Sequence, residues 1–299
     1  MERPVPPDLH DLGPRRRERL GKRLAAYGLL APGGLWVIAL FLVPMVAMAS
    51  ISLQTGDAIG GYTLTWRFAN YSDALSENWT FVVRSLRNGA IVTVIGLLLA
   101  YPIAYWIAFY GGRFKNVFLF ILLLPFFVSF VIRTVSWNLI LSDNGMVLGT
   151  LKDIGLLPDD YRVLGSTLAV VAGITYNLLP FTILPLYVSL ERIDRRLVEA
   201  AKDLYANRTE AFRKVVFPLS LPGVFAAMLL TSIPAVGDYV NAEVLGGPGT
   251  AMIGNIIQQE FLTARDYPEA ATLAFILMAI LLVGAVVYAR LLGTEEVTT

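Results

Sequence analysis

The chain has 299 residues, of which 56% are hydrophobic and only 16% are charged, and its formal net charge is +1. Soluble domains usually carry about a quarter charged residues, so this composition predicts an integral membrane protein and leaves no broad basic surface for nucleic acid. The sequence has no cysteine and a single histidine, His10, which excludes disulfides, Cys or His metal clusters and a Ser-His-Asp triad. It also lacks the G-x-x-x-x-G-K-[ST] phosphate loop, so we expect no cofactor, no ATP site and no catalysis in this chain.

Six apolar segments predict six transmembrane helices. They lie at about 27–53, 84–110, 116–141, 164–190, 215–237 and 269–292. The first segment follows a polar leader, residues 1–26, and is too long for the apolar core of a signal peptide, so it is interpreted as a retained span. Segments of this length can satisfy their own backbone hydrogen bonds in lipid as helices. The sequence therefore predicts an all-α integral membrane protein with one six-span domain at 27–292 and a short tail at 293–299.

Basic residues are concentrated on one side of the predicted spans. The leader, the 111–115 turn, the 191–214 loop and the end of the chain carry 17 Lys and Arg residues, whereas the opposite loops carry four. Loops rich in Lys and Arg remain in the cytoplasm. The distribution predicts a multi-pass protein of the cell membrane with both termini cytoplasmic.

The 191–214 loop is predicted to form a helical hairpin. Small or apolar residues recur there at spacings of three and four, which is typical of a short amphipathic helix; they are Ile193, Leu197, Ala200, Ala201 and Leu204. A second helical run, from Thr209 to Lys214, leads into the fifth span. Such a hairpin can rest on the membrane, pack under its own bundle or insert into a groove of a partner, and the periodicity does not choose between these alternatives.

The loop resembles a known family motif. Glu199-Ala200-Ala201, followed by Val215-Val216-Phe217-Pro218, is similar to the EAA motif of ABC-importer permeases, E-A-A-x3-G-x9-I-x-L-P, without insertion. In that family the loop docks into a cleft on the ATPase subunit and transmits its closure to the membrane helices. The resemblance implies the type I ABC-importer permease fold, with six transmembrane helices and a cytoplasmic coupling helical hairpin. It also implies that the ATPase contact contains Glu199, Ala200, Ala201, Leu204 and Tyr205.

One position departs from the family pattern, because its glycine falls on Tyr205. If that glycine supplies a left-handed turn, a tyrosine there is strained. We therefore expect Asn207, which tolerates such geometry, or a relaxed turn to take over this function.

Further stretches are similar to spermidine/putrescine permeases, the first of the two permeases in polyamine importers; they are 129–137, 143–145, 179–187, 237–240, 245–248 and 252–258. This resemblance implies uptake of a polyamine through the bacterial inner membrane. It also implies three partners: a second homologous permease, cassette subunits that bind and hydrolyse ATP, and an extracytoplasmic solute-binding protein. Permeases for ferric iron, thiamine and sulfate share part of the pattern, so another substrate is the alternative.

The chemistry of a polyamine indicates candidate residues for its path. A flexible multivalent cation requires carboxylates and aromatic faces. The candidates are Asp238, Tyr239, Glu243, Trp137 and Tyr176. The alternative is that Asp238 caps a helix or turn and that the aromatic residues belong to an interfacial belt, and both interpretations stay open.

Three charged residues are assigned other roles. A buried positive charge at Arg133 would repel a cationic substrate. We therefore expect this side chain to reach out of the membrane or to pair with a carboxylate such as Asp143. Arg265 and Asp266 are expected to meet the solute-binding protein.

A stand-alone secondary transporter and a membrane enzyme are the remaining alternatives. Secondary transporters often contain inverted repeats and intramembrane ion ligands. The sequence shows no internal repeat, few ionisable residues in its spans and no pairing of a nucleophile with a base. An ABC-importer permease is therefore the favoured interpretation.

Overall fold

The computed structural model describes the backbone of residues 12–292 and the side chains of 32–290. Residues 1–11 of the predicted leader, His10 included, and the predicted tail lie outside the described residues. The helices are α1 (Leu12–Ser52), α2 (Ala69–Tyr110), α3 (Lys115–Leu123), α4 (Phe130–Leu141), α5 (Leu148–Asp153), α6 (Thr167–Glu191), α7 (Arg195–Asp203), α8 (Arg208–Ala211), α9 (Phe217–Val236), α10 (Val240–Leu245), α11 (Ile253–Gln259) and α12 (Tyr267–Leu292). Two short antiparallel strands, β1 (Gln54–Asp57) and β2 (Gly61–Leu64), form a small hairpin after α1.

Five helical segments of the described chain are long and apolar enough to cross a membrane, and a bent pair of shorter helices brings the number to six. The five are Pro32–Ser52 of α1, Ala69–Tyr110, Thr167–Glu191, Arg208–Val236 and Tyr267–Arg290. Their order along the chain is the order of the predicted apolar segments. With the bent pair counted as one span, the described chain has six candidate spans, in agreement with the six predicted from hydropathy.

The third span differs from the prediction of one continuous helix over 116–141. It consists of α3, a 3-10 turn (Leu124–Phe127) and α4, and its two halves meet at 89°. Two residues at the break, Val128 and Ser129, have extended ψ angles of 136°. Pro125 contributes to the break because its nitrogen cannot donate a helical hydrogen bond. The apolar segment at 116–141 is therefore a broken span.

Helices α2, α6 and α9 form the centre of the molecule. Small residues allow their backbones to approach closely, as is usual for helices packed in membranes. At Gly223 of α9, for example, an added Cβ would lie 2.3 Å from the Cβ of Ser189 and 2.8 Å from the carbonyl oxygen of Pro185 on α6. In contrast, α1 packs on α12, and most of its apolar stretch is exposed.

Candidate functional site

The loop between α6 and α9 forms the predicted helical hairpin. The carboxylate of Asp194 accepts a hydrogen bond of 2.9 Å from the backbone N–H of Arg196 and so caps α7. Just before α7, the side chain of Ile193 is buried in the cluster formed by α2, α6 and the start of α9. Val198 of α7 packs partly buried on the same cluster. One side of the hairpin is therefore fixed to the membrane helices.

The other side of α7 is open. Glu199 and Ala200 are exposed, and Ala201 is half-buried. Leu204 and Tyr205 at the end of the helix are 81% and 98% exposed. The five residues assigned to the ATPase contact are together called the α7 face; four of them are exposed and Ala201 is half-buried. This face is therefore not packed under the bundle.

Tyr205 itself occupies the left-handed turn at the end of α7. Its φ is +62°. The N–H of Ala206 donates to the carbonyl of Ala201 at 3.0 Å, and the N–H of Tyr205 donates to the carbonyl of Lys202 at 2.9 Å. These two bonds define a Schellman motif, in which glycine usually holds the position of Tyr205. The expectation that the left-handed geometry moves to Asn207 or relaxes was wrong.

Asn207 starts the next helix instead. Its φ of −70° and ψ of 171° are extended. Its side chain accepts from the N–H of Glu210 at 2.9 Å, and its own N–H donates to the Glu210 carboxylate at 3.0 Å. This capping box requires an extended Asn207, which explains why the turn remains at the residue aligned with the motif glycine.

The hairpin is linked to α2 through side chains near its base. Arg195 donates to the backbone carbonyl of Ala108 at 3.0 Å. The ring of Phe212 packs edge-on against Tyr101 and Tyr105 of α2, with centroids 5.7 and 5.8 Å away. The Tyr101 hydroxyl in turn shares a hydrogen bond of 2.8 Å with Ser220 of α9. A displacement of the hairpin therefore acts directly on two spans.

A buried polar network connects the broken third span, the fourth span and α10. The side-chain oxygen of Asn241 accepts from Thr134 of α4 at 3.2 Å and from Asn177 of α6 at 3.1 Å. Asn177 also donates to the Thr134 hydroxyl at 3.2 Å. Asn241 donates to Asp238 through its amide at 2.9 Å and through its backbone N–H at 2.8 Å. These bonds hold α10 against the two spans.

The residues assigned to the substrate path surround α10. Asp238 caps the start of α10, which is one of the two alternatives left open by the sequence. Asn255 of α11 donates to the carbonyl of Tyr239 at 3.0 Å and to the Glu243 carboxylate at 3.1 Å. The Tyr239 side chain is 43% exposed. Asp238, Tyr239 and Glu243 are thus held by neighbouring asparagines, and no group of three metal-ligating side chains occurs among the described residues.

Trp137 and Tyr176 form a separate pair. Their rings meet edge to face with centroids 5.4 Å apart. Both line an apolar groove of 530 Å³ between α2, α4 and α6. Within residues 32–290, no hydrogen bond or ring contact joins this pair to the side chains of Asp238, Tyr239 and Glu243. The five candidates therefore form two groups.

Four polar residues that organise α10 are not among the residues predicted from the sequence. They are Thr134, Asn177, Asn241 and Asn255. An asparagine inside an apolar run is a usable signal, since its amide must find partners once it is buried. Those partners lie far along the chain, so the sequence does not name them.

Arg133 does not follow its prediction. Its side chain is 9% exposed, so it does not reach out of the bundle. Asp143 pairs with Lys152 at 3.1 Å and with Arg162 at 3.3 Å. Arg133 lies in the first turn of α4, whereas Asp143 follows the end of that helix. The predicted pair with Asp143 was therefore wrong.

The opposite end of the bundle carries the residues expected to meet a solute-binding protein. Arg265 adopts a left-handed conformation between α11 and α12, and its carbonyl accepts from the Tyr62 hydroxyl of β2. The Tyr62 ring packs on Tyr267 at 5.7 Å. Burial and the neighbouring Asp266 carboxylate raise the pKa of Glu260 above its usual value. The β-hairpin is thus attached to the start of α12.

Comparison with known proteins identifies relatives along most of the chain. The chain is 36% identical over 251 residues to the spermidine/putrescine transport system permease protein PotB of Haemophilus influenzae, covering 83% of this chain and 88% of that protein. It is 31% identical to PotB of Escherichia coli K12, covering 85% and 93%. A crystal structure of a bacterial ABC transporter involved in the import of the acidic polysaccharide alginate matches with a TM-score of 0.69 at 18% identity, covering 94% of this chain and 99% of that chain.

The structural match confirms the fold that the motif resemblance implies, the type I permease fold of ABC importers. Residues 93–293 match the family described as "Binding-protein-dependent transport system inner membrane component". That segment contains the hairpin, the polar network, the last four spans and part of the second span. The chain is therefore a member of the family of binding-protein-dependent transport system inner membrane components.

Proposed function

We propose that this chain is one of two permease subunits of an ATP-driven importer for polyamines such as spermidine and putrescine. The observation that carries the proposal is the similarity to two spermidine/putrescine permeases along more than four fifths of the chain. The chain itself performs no chemistry on the cargo. It forms half of the translocation path and moves in response to a partner.

Two features of the hairpin support an ATPase as that partner. Its α7 face exposes small and apolar residues, Ala200 and Leu204 among them, as a helix that inserts into a partner's groove does. Its base is hydrogen-bonded to α2, and α2 is hydrogen-bonded in turn to α9, so movement of the α7 face is passed to the spans.

ATP binds to the cassette subunits, and this chain requires no cofactor. The hairpin and both termini lie in the cytoplasm, because the basic residues are concentrated on that side.

The proposed substrate path uses the five candidates in two groups. Asp238 and Glu243 supply carboxylates for the ammonium groups, and Tyr239 lies between them with its ring accessible. Trp137 and Tyr176 supply an aromatic wall for the methylene chain. An external solute-binding protein delivers the cargo at the end of the bundle opposite the hairpin, near Arg265 and Asp266.

The test is uptake by the complete importer reconstituted in liposomes. The complex contains this chain, the second permease, the cassette subunits and the solute-binding protein. We expect ATP-dependent accumulation of radiolabelled spermidine or putrescine and no accumulation of sulfate, thiamine or ferric iron. Preferential uptake of one of the other solutes would refute the polyamine assignment. Uptake by this chain without the cassette subunits would refute the importer mechanism.

A further inference from the structure

The break in the third span opens a pocket of 420 Å³ beside the fourth span. Its lining combines aromatic rings with three polar side chains, those of Ser129, Arg133 and Asn177; the lining residues are 126–130, Arg133, Asn177, Leu178 and Phe181. Asn177 is the eleventh residue of α6, about 15 Å along the axis from one end of that helix and about 21 Å from the other. The pocket therefore lies near the middle of the membrane.

The guanidinium of Arg133 in this pocket has no countercharge among residues 32–290. Its Nε and Nη1 atoms are sealed from solvent and find no acceptor. Its nearest aromatic neighbours are Phe126 and Phe130, whose ring centroids lie 5.8 and 5.9 Å from Cζ. Aromatic faces attract a cation but do not accept its in-plane hydrogen bonds. A buried charged donor without an acceptor is strongly destabilising, so another group has to satisfy it.

The described part of this chain offers no carboxylate for that role. The ion pairs of residues 32–290 do not include Arg133. The nearest acidic residue along the helix, Asp143, is already paired with Lys152 and Arg162. Asp238 and Glu243 bond to asparagines. The missing charge therefore comes from outside these residues.

A second positive feature faces the same pocket. Helix α4 begins at Phe130, and the side chain of Ser129 before it makes no capping hydrogen bond. The first backbone N–H groups of this twelve-residue helix therefore remain available, and they carry the positive end of the helix dipole. An uncapped helix start next to an unpaired guanidinium is a site for a carboxylate.

The rim of the pocket indicates that a protein surface covers it. Phe127 is 80% exposed, and Val128 and Phe181 are 45% and 38% exposed. Lipid does not suit the pocket, because an unpaired cation at mid-membrane depth is costly. Water does not suit the rim, because the rim is apolar. Apolar residues around a central charged group are typical of a subunit interface.

We propose that this pocket receives an Asp or Glu side chain of the second permease subunit, which forms an ion pair with Arg133 at the centre of the permease interface. The inference depends on the proposed function only in requiring a second permease. A polyamine has no carboxylate to offer. The cassette subunits and the solute-binding protein meet the ends of the bundle rather than its middle. The second permease is therefore the one partner in the proposed assembly that reaches the pocket.

The experiment measures co-purification of the second permease with this chain from membranes that contain the complete importer. We expect Arg133→Gln and Arg133→Glu to lower the amount of second permease that co-purifies at least about tenfold. Each change leaves the carboxylate of the second permease without a partner in a buried site. This chain should still insert in the membrane at its normal level. Arg162→Gln is the control, since Arg162 is 77% exposed and its surface pair contributes little.

A charge exchange identifies the partner residue. Replacing each membrane-embedded Asp or Glu of the second permease by Arg in turn should restore co-purification with the Arg133→Glu chain at one position. Normal recovery with Arg133→Gln, or rescue only by changes within this chain, would overturn the inference. The readout does not depend on the cargo, so failure of spermidine uptake by the unaltered complex would count against the proposed function alone.

Discussion

At the scale of single residues, three non-glycine residues of the described chain adopt left-handed backbone conformations, and Tyr205 is the one that belongs to the α7 face. Tyr205 adopts φ +62°, a conformation that costs an L-residue about 1–2 kcal/mol relative to the right-handed region. Two hydrogen bonds, from Tyr205 and Ala206 to the last turn of α7, maintain the turn. The exposed tyrosine ring projects from the α7 face as a result. Strain retained at an exposed position fits a residue whose side chain contacts a partner.

The strain predicts a difference between two small substitutions at this position. Tyr205→Gly and Tyr205→Ala both remove the ring, but only glycine relieves the left-handed strain. We expect the Gly variant to hold the end of α7 more stably than the Ala variant by up to about 1 kcal/mol, because the greater freedom of glycine in the unfolded chain offsets part of the gain. Hydrogen exchange of the 205 and 206 amides in the purified chain measures this difference. Equal protection in both variants would show that the turn is not strained.

At the scale of elements, the close packing of α10 on α6 depends on Gly173. An added Cβ at Gly173 of α6 would lie 2.3 Å from Cδ1 of Leu245 and 2.8 Å from the side-chain oxygen of Asn241. Both contacts are with α10. The glycine therefore allows α10 to approach α6 closely enough for the Asn241–Asn177 hydrogen bond. Asp238 and Tyr239, which precede α10, take their positions from this packing.

Gly173→Ala is expected to displace α10 and to lower the free energy of unfolding by about 1–3 kcal/mol, the usual range for overpacking a core. Gly96→Ala on α2 is the matched control. An added Cβ there meets its nearest atom, the Thr182 hydroxyl, at 3.5 Å, an ordinary contact. The control should be neutral or stabilising, since alanine favours a helix. Denaturant unfolding in detergent measures the free energy of unfolding of both variants. Equal values would contradict the proposed packing of α10 against Gly173.

At the scale of the whole molecule, the hairpin and the polar network around α10 lie at different depths in the membrane. The central helices connect them. The hairpin is hydrogen-bonded to α2, α2 is hydrogen-bonded to α9, and the polar network joins α4, α6 and α10. Helix α6 packs extensively against both α2 and α9. A movement of the α7 face can therefore tilt the central helices and alter the surroundings of α10. Coupling of this kind is a free-energy difference between two states of the assembly.

Bulk on the α7 face should uncouple ATP hydrolysis from transport. Ala200→Trp or Glu199→Trp is expected to lower uptake by the complete importer at least about tenfold, within the usual range of coupling free energies. Insertion of the chain and ATP hydrolysis should persist. Ala289→Trp, at an exposed alanine near the end of α12, controls for bulk and should transport normally. Normal uptake by the α7-face variants would place the coupling elsewhere.

The sequence alone determined the number of spans, the position of the helical hairpin and the family. These follow from local properties, because a span needs only about 20 apolar residues and an amphipathic helix needs only its own periodicity. The tertiary structure decided the break in the third span, the packing of α10 on α6, the turn at Tyr205 and the unpaired state of Arg133 among the described residues. These depend on partners far along the chain: Thr134 meets Asn241 across 107 positions. Hydropathy and periodicity describe neighbours in sequence and carry no information on such pairings, so only the folded chain assigns them.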